Sequence, residues 1–147
     1  MGIAERWKRF QKLPPDIEQA LQRLIPLFQR EGVLLAYLFG SLGKGGRSQG
    51  VDIALLTGGA PAFRLRAAIT ECLGTERVDL VDLQHASPVL RFEIIRTGRP
   101  LFVSDEALLN RFELETLHLY RDTAPLRRQQ REHLKRRMAQ WSSDGKP

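Results

Sequence analysis

The sequence predicts an α/β (α+β) fold, in which helices flank a mixed sheet of about four strands and a long helix ends the chain. Three observations favour this class. Short apolar runs alternate with amphipathic stretches along the chain. Turns rich in glycine, proline or serine separate most of these segments. The chain has 147 residues, of which 42% are hydrophobic, and this suits one domain with one core.

The first elements are a helix and a strand. Residues 13–16 include two prolines and an acid, which is typical of a helix start. Apolar residues then recur at helical spacing, Pro26 should kink the helix, and Gly32 is its expected end. The apolar run Val33–Phe39 is typical of a buried strand. The segment Gly40–Gly50 holds five glycines and is predicted to be a loop, or a loop that opens a short helix.

The middle of the chain predicts two further strands and the helix between them. Val51–Leu56 forms a second buried strand, and Ala62–Leu73 is an amphipathic helix that Gly74 closes. Arg77–Leu83 is predicted to be the third strand. These segments alternate as expected for an α/β sheet.

The last part predicts one more strand between helices. Ser87 is the expected N-cap of a helix that ends at Gly98, and Leu101–Val103 is a short fourth strand. Ser104 and the acids after it should cap a long helix. Pro125 is expected to interrupt that helix before a basic helical tail.

The charge is concentrated at the two ends of the chain. The whole sequence has a formal charge of +6, of which residues 1–12 contribute +3 and residues 121–147 contribute +5. Residues 13–120 carry −2. A basic DNA-binding body is therefore not favoured, although a basic tail remains. We accordingly expect an N-terminal arm at 1–12, a domain at 13–124 and a helical tail at 125–147.

Other features narrow the class of protein. No run approaches the roughly 18–20 apolar residues of a membrane span, and the first residues lack the apolar core of a signal peptide. Cys72 is the single cysteine, which excludes an intramolecular disulfide and fits a reducing compartment. We therefore expect a cytoplasmic protein that does not enter membranes.

Carboxylates interrupt two of the predicted strands. Asp52 lies in the second strand, and Asp79 and Asp82 lie in the third. Burying a charge is costly unless the charge is paired or binds a metal. Carboxylates on neighbouring strands are suitable ligands for Mg²⁺, so Asp52 is a candidate metal ligand together with Asp79 or the competing Asp82.

The glycine-rich segment before Asp52 is a candidate phosphate-binding loop. Gly40 lets backbone N–H groups approach phosphate oxygens, and Ser41 adds a hydroxyl donor. Lys44 and Arg47 can add positive charge for the nucleotide phosphates. The alternative is that both are solvated loop charges.

Together these residues resemble the minimal nucleotidyltransferases (MNT domains) of the polymerase-beta-like superfamily. Their motif is Gly-Ser, ten residues, and Asp-x-Asp, with a third carboxylate on a nearby strand. Here it corresponds to Gly40, Ser41, Asp52, position 54 and Asp79. The resemblance covers roughly residues 15–125 and implies a nucleotidyltransferase fold with ATP and Mg²⁺ as cofactors. It also implies that Asp52 and Asp79 are the metal ligands and catalytic residues, with Asp82 as the competing site for Asp79.

The resemblance also implies a biological role. Proteins of this type are typically antitoxins whose partner is a helical HEPN-domain ribonuclease toxin. They neutralise the toxin by transferring AMP from ATP to a toxin tyrosine, or by binding it.

The sequence departs from the motif at one decisive position. Ala54 replaces the second aspartate and cannot bind a metal. Val51 also replaces a residue that is usually small and polar. Asp82 should face the opposite side of the sheet and Glu71 lies on a helix, so neither is expected to substitute. The metal-binding motif of this protein adenylyltransferase fold is thus incomplete, and ATP and Mg²⁺ binding should be weakened or lost.

We therefore predict an MNT antitoxin that neutralises a HEPN toxin mainly by complex formation. One alternative is an active Mg²⁺-dependent transferase that modifies the toxin, and another is a nucleotide- or nucleic-acid-binding regulator. A homo-oligomer is possible. In the tail, Leu134, Met138 and Trp141 form an apolar stripe that favours a protein contact over nucleic acid.

Overall fold

The fold is built on one four-stranded mixed sheet. The computed structural model describes residues 15–40 and 50–144. The strands are β1 (Leu35–Phe39), β2 (Val51–Leu56), β3 (Val78–Asp82) and β4 (Arg99–Val103), in the spatial order β3-β2-β1-β4. β1 pairs antiparallel with β2 and β4, whereas β2 and β3 are parallel. The predicted α/β class with a mixed sheet is confirmed.

The described residues also form six helices and one 3-10 turn. They are α1 (Ile17–Gln22), α2 (Leu24–Arg30), the 3-10 turn Ala62–Leu65, α3 (Arg66–Leu73), α4 (Pro88–Thr97), α5 (Glu106–Asp122) and α6 (Ala124–Asp144). Among them, none combines the length and hydrophobicity needed to cross a bilayer.

Each face of the sheet has its own core because successive strand residues point to opposite sides. On one face, α1, α2 and α3 pack on Leu38, Ile53 and Leu55. On the other face, α4 and α5 pack on Tyr37 and Ala54. The second face also carries the predicted site, so α4 and α5 form the wall behind it.

Several helix boundaries follow from identifiable residues. The predicted kink is a break at Arg23, since Pro26 has no N–H to donate to the carbonyl of Gln22. Gly32 and Gly74 both follow helices with positive φ, at 71° and 72°, as their predicted role as helix ends requires.

The caps of the later helices are also defined. The Ser87 hydroxyl accepts a 3.1 Å hydrogen bond from the Leu90 N–H, as predicted. Of the residues predicted to cap the next helix, Asp105 is the N-cap and Ser104 is not, because the Asp105 side chain accepts the N–H of Ala107 at 3.0 Å. Ser104 instead donates its backbone N–H to the carbonyl of Leu34, which extends the pairing of β4 with β1 by one residue.

Some predictions fall outside the described residues. These are the basic arm at 1–12 and the loop residues Ser41, Lys44 and Arg47. The division into arm, domain and tail stays a prediction, although the break before the last helix is observed at Thr123.

Candidate active site

The structure places Asp52 and Asp79 side by side. They are Cα partners in the parallel pair of β2 and β3. In-register partners on adjacent strands point to the same face of a sheet. The register begins with a 2.7 Å hydrogen bond from the N–H of Val51 to the carbonyl of Arg77. Both carboxylates are partly exposed at this end of the sheet, where a ligand can reach them.

Gly40 lies against one of these carboxylates. It directly follows Phe39, the Cα partner of Asp52, and has φ of +70°. A Cβ atom on Gly40 would collide with Oδ2 of Asp52. The position therefore needs glycine for two reasons, the left-handed backbone and the close approach to the carboxylate. This geometry joins the start of the predicted phosphate-binding loop to the carboxylate pair.

Ala54 occupies the next position on the same face. Its Cα partners are Tyr37 on β1 and Val81 on β3, and its exposed fraction is 0%. It packs in the core with Ile94 and Phe112 of the covering helices. A methyl group therefore stands in the row directly behind Asp52 and Asp79, where the motif has a carboxylate.

Asp82 does not join the pair. It is the Cα partner of Leu55 and points to the other face, as alternation predicts. Its Oδ1 accepts the N–H of Gln84 at 3.0 Å, and its Oδ2 lies 3.1 Å from Nδ1 of His85. Asp82 thus caps the turn after β3. Glu71 is exposed on α3, which packs on that opposite face.

Sequence reasoning missed a buried polar contact on the same face. Tyr37 has an exposed fraction of 1%, and its hydroxyl donates a 2.8 Å hydrogen bond to Oε1 of Glu113 on α5. Burial raises the pKa of Tyr37 above its usual range, and Glu113 raises it further. A tyrosine within the apolar run Val33–Phe39 was the available signal, since a buried hydroxyl needs a partner.

The two carboxylates of Asp52 and Asp79 can hold fewer metal ions than the three carboxylates of the full motif. Within residues 15–40 and 50–144, no three His, Cys, Asp or Glu side chains are grouped to hold a metal ion. Two carboxylates suffice for one Mg²⁺ ion that also keeps water molecules and binds phosphates. A two-ion arrangement needs a carboxylate shared between the ions, and Ala54 cannot supply it.

Comparison with known proteins identifies the family of the chain. The polymerase beta nucleotidyltransferase family matches residues 22–107, more than half of the chain. A chain of a toxin–antitoxin complex solved with AMP-PNP is similar at a TM-score of 0.67 and 26% identity, covering 78% of this chain and 98% of that one. None of the curated protein sequences is significantly similar.

Two further solved structures share the fold at lower identity. A chain from the Shewanella oneidensis complex of a tri-AMPylated HEPN toxin with its MNT antitoxin has a TM-score of 0.66 at 24% identity, covering 80% of this chain and 98% of that one. A chain of the MntA–HepT toxin–antitoxin has a TM-score of 0.66 at 23% identity with the same coverage. The chain therefore belongs to the polymerase beta nucleotidyltransferase family, as its resemblance to minimal nucleotidyltransferases predicts.

Proposed function

We propose that this chain is the antitoxin of a HEPN/MNT toxin–antitoxin module and neutralises its HEPN toxin mainly by forming a complex. The similar solved chains come from toxin–antitoxin complexes, one of which is described as holding a HEPN toxin and an MNT antitoxin. The family match and the carboxylate pair support a nucleotidyltransferase ancestry for the site. We place this module in the cytoplasm, which agrees with the lone Cys72.

The observation that carries the proposal is Ala54. It is fully buried, it shares the face of Asp52 and Asp79, and it is covered by apolar side chains of α4 and α5. Its methyl group offers no oxygen to a cation. A site with two carboxylates in place of three should bind Mg²⁺ and ATP weakly and transfer AMP slowly.

The remaining residues have separable roles in this proposal. Asp52 and Asp79 would hold Mg²⁺, which would neutralise the charge of the triphosphate. Alternatively, Asp79 would act as the general base that accepts the proton of an acceptor hydroxyl. Gly40 itself lies beside Asp52. Ser41, Lys44 and Arg47, which follow it in the sequence, would bind the phosphates.

The test measures binding and transfer separately. The chain is mixed with the product of the neighbouring gene, which the proposal expects to be the HEPN toxin, together with labelled ATP and Mg²⁺. We expect a stable complex that suppresses the toxin's RNA cleavage, with little label on the toxin. Ala54→Asp should raise the labelling rate by several powers of ten, whereas the uncharged control Ala54→Asn should not. Absence of a complex would contradict the antitoxin assignment.

A second candidate function is active AMP transfer to a toxin tyrosine. The observation that favours it is the retained register of Asp52 and Asp79, with Gly40 against Asp52. In that case the unmodified chain labels the toxin rapidly, and Ala54→Asp raises the labelling rate only slightly. Removal of Mg²⁺ should then abolish both labelling and neutralisation, whereas neutralisation by a complex alone survives it.

A further inference from the structure

The distal part of α6 carries an apolar stripe that nothing in the described chain covers. Leu134, Met138 and Trp141 are 57%, 62% and 80% exposed. All described side chains from 128 to 141 are exposed as well. Exposed apolar area carries a free-energy cost, and contiguous patches of it on a surface mark interaction sites.

These three residues form one face of the helix. Their spacing is four and then three residues, which places them within roughly 60° around the helix axis. Arg131 and Lys135 border the stripe on one side, and Arg137 borders it on the other. The stripe is therefore an apolar ridge with basic edges.

The base of α6 is fixed to the body of the protein. The guanidinium of Arg127 lies 3.8 Å from the ring centroid of Tyr120, and Tyr120 stacks on Phe92 of α4 at 3.9 Å. The helix after Arg127 extends for about 25 Å at 1.5 Å per residue. A fixed base and an exposed distal half position the ridge for contact with another molecule.

The charge of α6 selects among possible occupants. Residues 124–144 hold six basic and two acidic side chains, a net charge of +4. A second copy of α6 would bring +4 against +4, which disfavours a symmetric helix pair. Binding to nucleic acid would use the basic edges but would leave Trp141 and Met138 in water. An apolar groove on a protein, bordered by carboxylates, satisfies both features.

We propose that the ridge of Leu134, Met138 and Trp141 docks in an apolar groove with acidic edges on the HEPN toxin. This inference rests on the proposed function and adds a contact surface distant from the carboxylate pair. The family match ends at residue 107, so α6 lies beyond the part of the chain that defines the family. Docking by α6 would let the chain hold its toxin whether or not the nucleotide site is active.

The test compares the affinity of full-length variants for the purified HEPN protein. The ridge variant is Leu134→Ser, Met138→Ser and Trp141→Ser. The matched control is Gln129→Ser, His133→Ser and Gln140→Ser, which places the same substitutions on another side of the same helix. Circular dichroism checks that both keep their helix content.

We expect the ridge variant to bind at least about tenfold more weakly and the control to bind within about twofold of the unmodified chain. Equal affinity of the ridge variant and the unmodified chain overturns the inference and leaves the proposed function intact. Failure of the unmodified chain to bind the HEPN protein overturns the proposed function itself. The two failures are therefore distinguishable.

Charge-reversal variants of the basic residues beside the ridge test whether the groove has acidic edges. Arg131→Glu, Lys135→Glu and Arg137→Glu together should slow association at low salt and reduce its dependence on ionic strength. An association rate that does not respond to salt or to these changes overturns the acidic groove.

Two other results would overturn the inference. One is a dimer of the unmodified chain that the ridge variant loses, and the other is tight binding of a generic DNA duplex that the charge variant loses.

Discussion

The backbone of Gly40 lies so close to the carboxylate of Asp52 that no side chain fits between them. Gly32 has nearly the same φ, +71° against +70°, but a Cβ atom there would meet no neighbour within 4 Å. The two glycines therefore separate the cost of a left-handed backbone from the cost of displacing the carboxylate.

We expect Gly40→Ala and Gly32→Ala to share a destabilisation of about 1–2 kcal/mol, since both place alanine at positive φ. Gly40→Ala should cost more, because Asp52 must also move. Only Gly40→Ala should weaken Mg²⁺-dependent binding of ATP, measured by titration calorimetry. Equal stability losses and equal ATP affinities in the two variants would contradict the role given to this contact.

The strands and their faces were largely predictable from the sequence. The second strand was predicted at Val51–Leu56 and is observed there. Asp52 and Asp79 each interrupt an apolar run, and a charge in such a run indicated a special role. Their direct pairing also depended on the parallel register of β2 with β3, which the sequence does not determine by itself.

Other features depend on tertiary packing and could not be predicted. The partner of the Tyr37 hydroxyl lies 76 residues away, on a helix whose placement over the sheet is not a local property. The error at Ser104 has a local cause, because Ser104 and Asp105 are both good capping residues. The Ser104 backbone still pairs with Leu34 next to β4, so the helix begins one residue later and Asp105 is its cap.

Substitution should distinguish Asp52 and Asp79, which we assign to the metal site, from Asp82 on the opposite face. Asp52→Asn and Asp79→Asn each remove a charged ligand, so Mg²⁺-dependent ATP affinity should fall at least about tenfold. Asp82→Asn is the matched control. Its amide oxygen can still accept the N–H of Gln84 on the opposite face. An equally large loss in Asp82→Asn, measured by the same titration, would mean that the assigned faces are wrong.

Restoring the motif aspartate should carry a stability cost. Ala54 is fully buried between Tyr37 and Val81, so Ala54→Asp places a carboxylate among apolar groups. We expect the free energy of unfolding to fall by about 1–3 kcal/mol without metal, and by a comparable amount in Ala54→Asn.

Mg²⁺ distinguishes these two variants. Three carboxylates on one face should bind the ion, and an ion that binds only the folded state stabilises it. Thermal unfolding of Ala54→Asp should therefore shift upward with added Mg²⁺, whereas that of Ala54→Asn should not. If Mg²⁺ leaves Ala54→Asp unchanged, position 54 does not face the pair in the way we infer.

The buried contact of Tyr37 with Glu113 predicts how stability depends on alkaline pH. The folded state raises the pKa of Tyr37 above that of the unfolded chain, which is about 10. Above that pH the unfolded chain releases the phenol proton while the folded chain keeps it. The stability that this raised pKa contributes is therefore fully present below pH 10 and is lost as pH rises, by about 1.4 kcal/mol per pH unit.

Tyr37→Phe should remove that part of the pH dependence. At pH 8 the variant should be about 1 kcal/mol less stable, since Glu113 loses its hydrogen-bond donor. The difference should narrow above pH 10, as measured by urea unfolding from pH 8 to 11. Tyr120→Phe is the matched control because Tyr120 is the other tyrosine, and it should keep the alkaline slope of the unmodified protein. A slope that Tyr37→Phe leaves unchanged would show that another group controls alkaline unfolding.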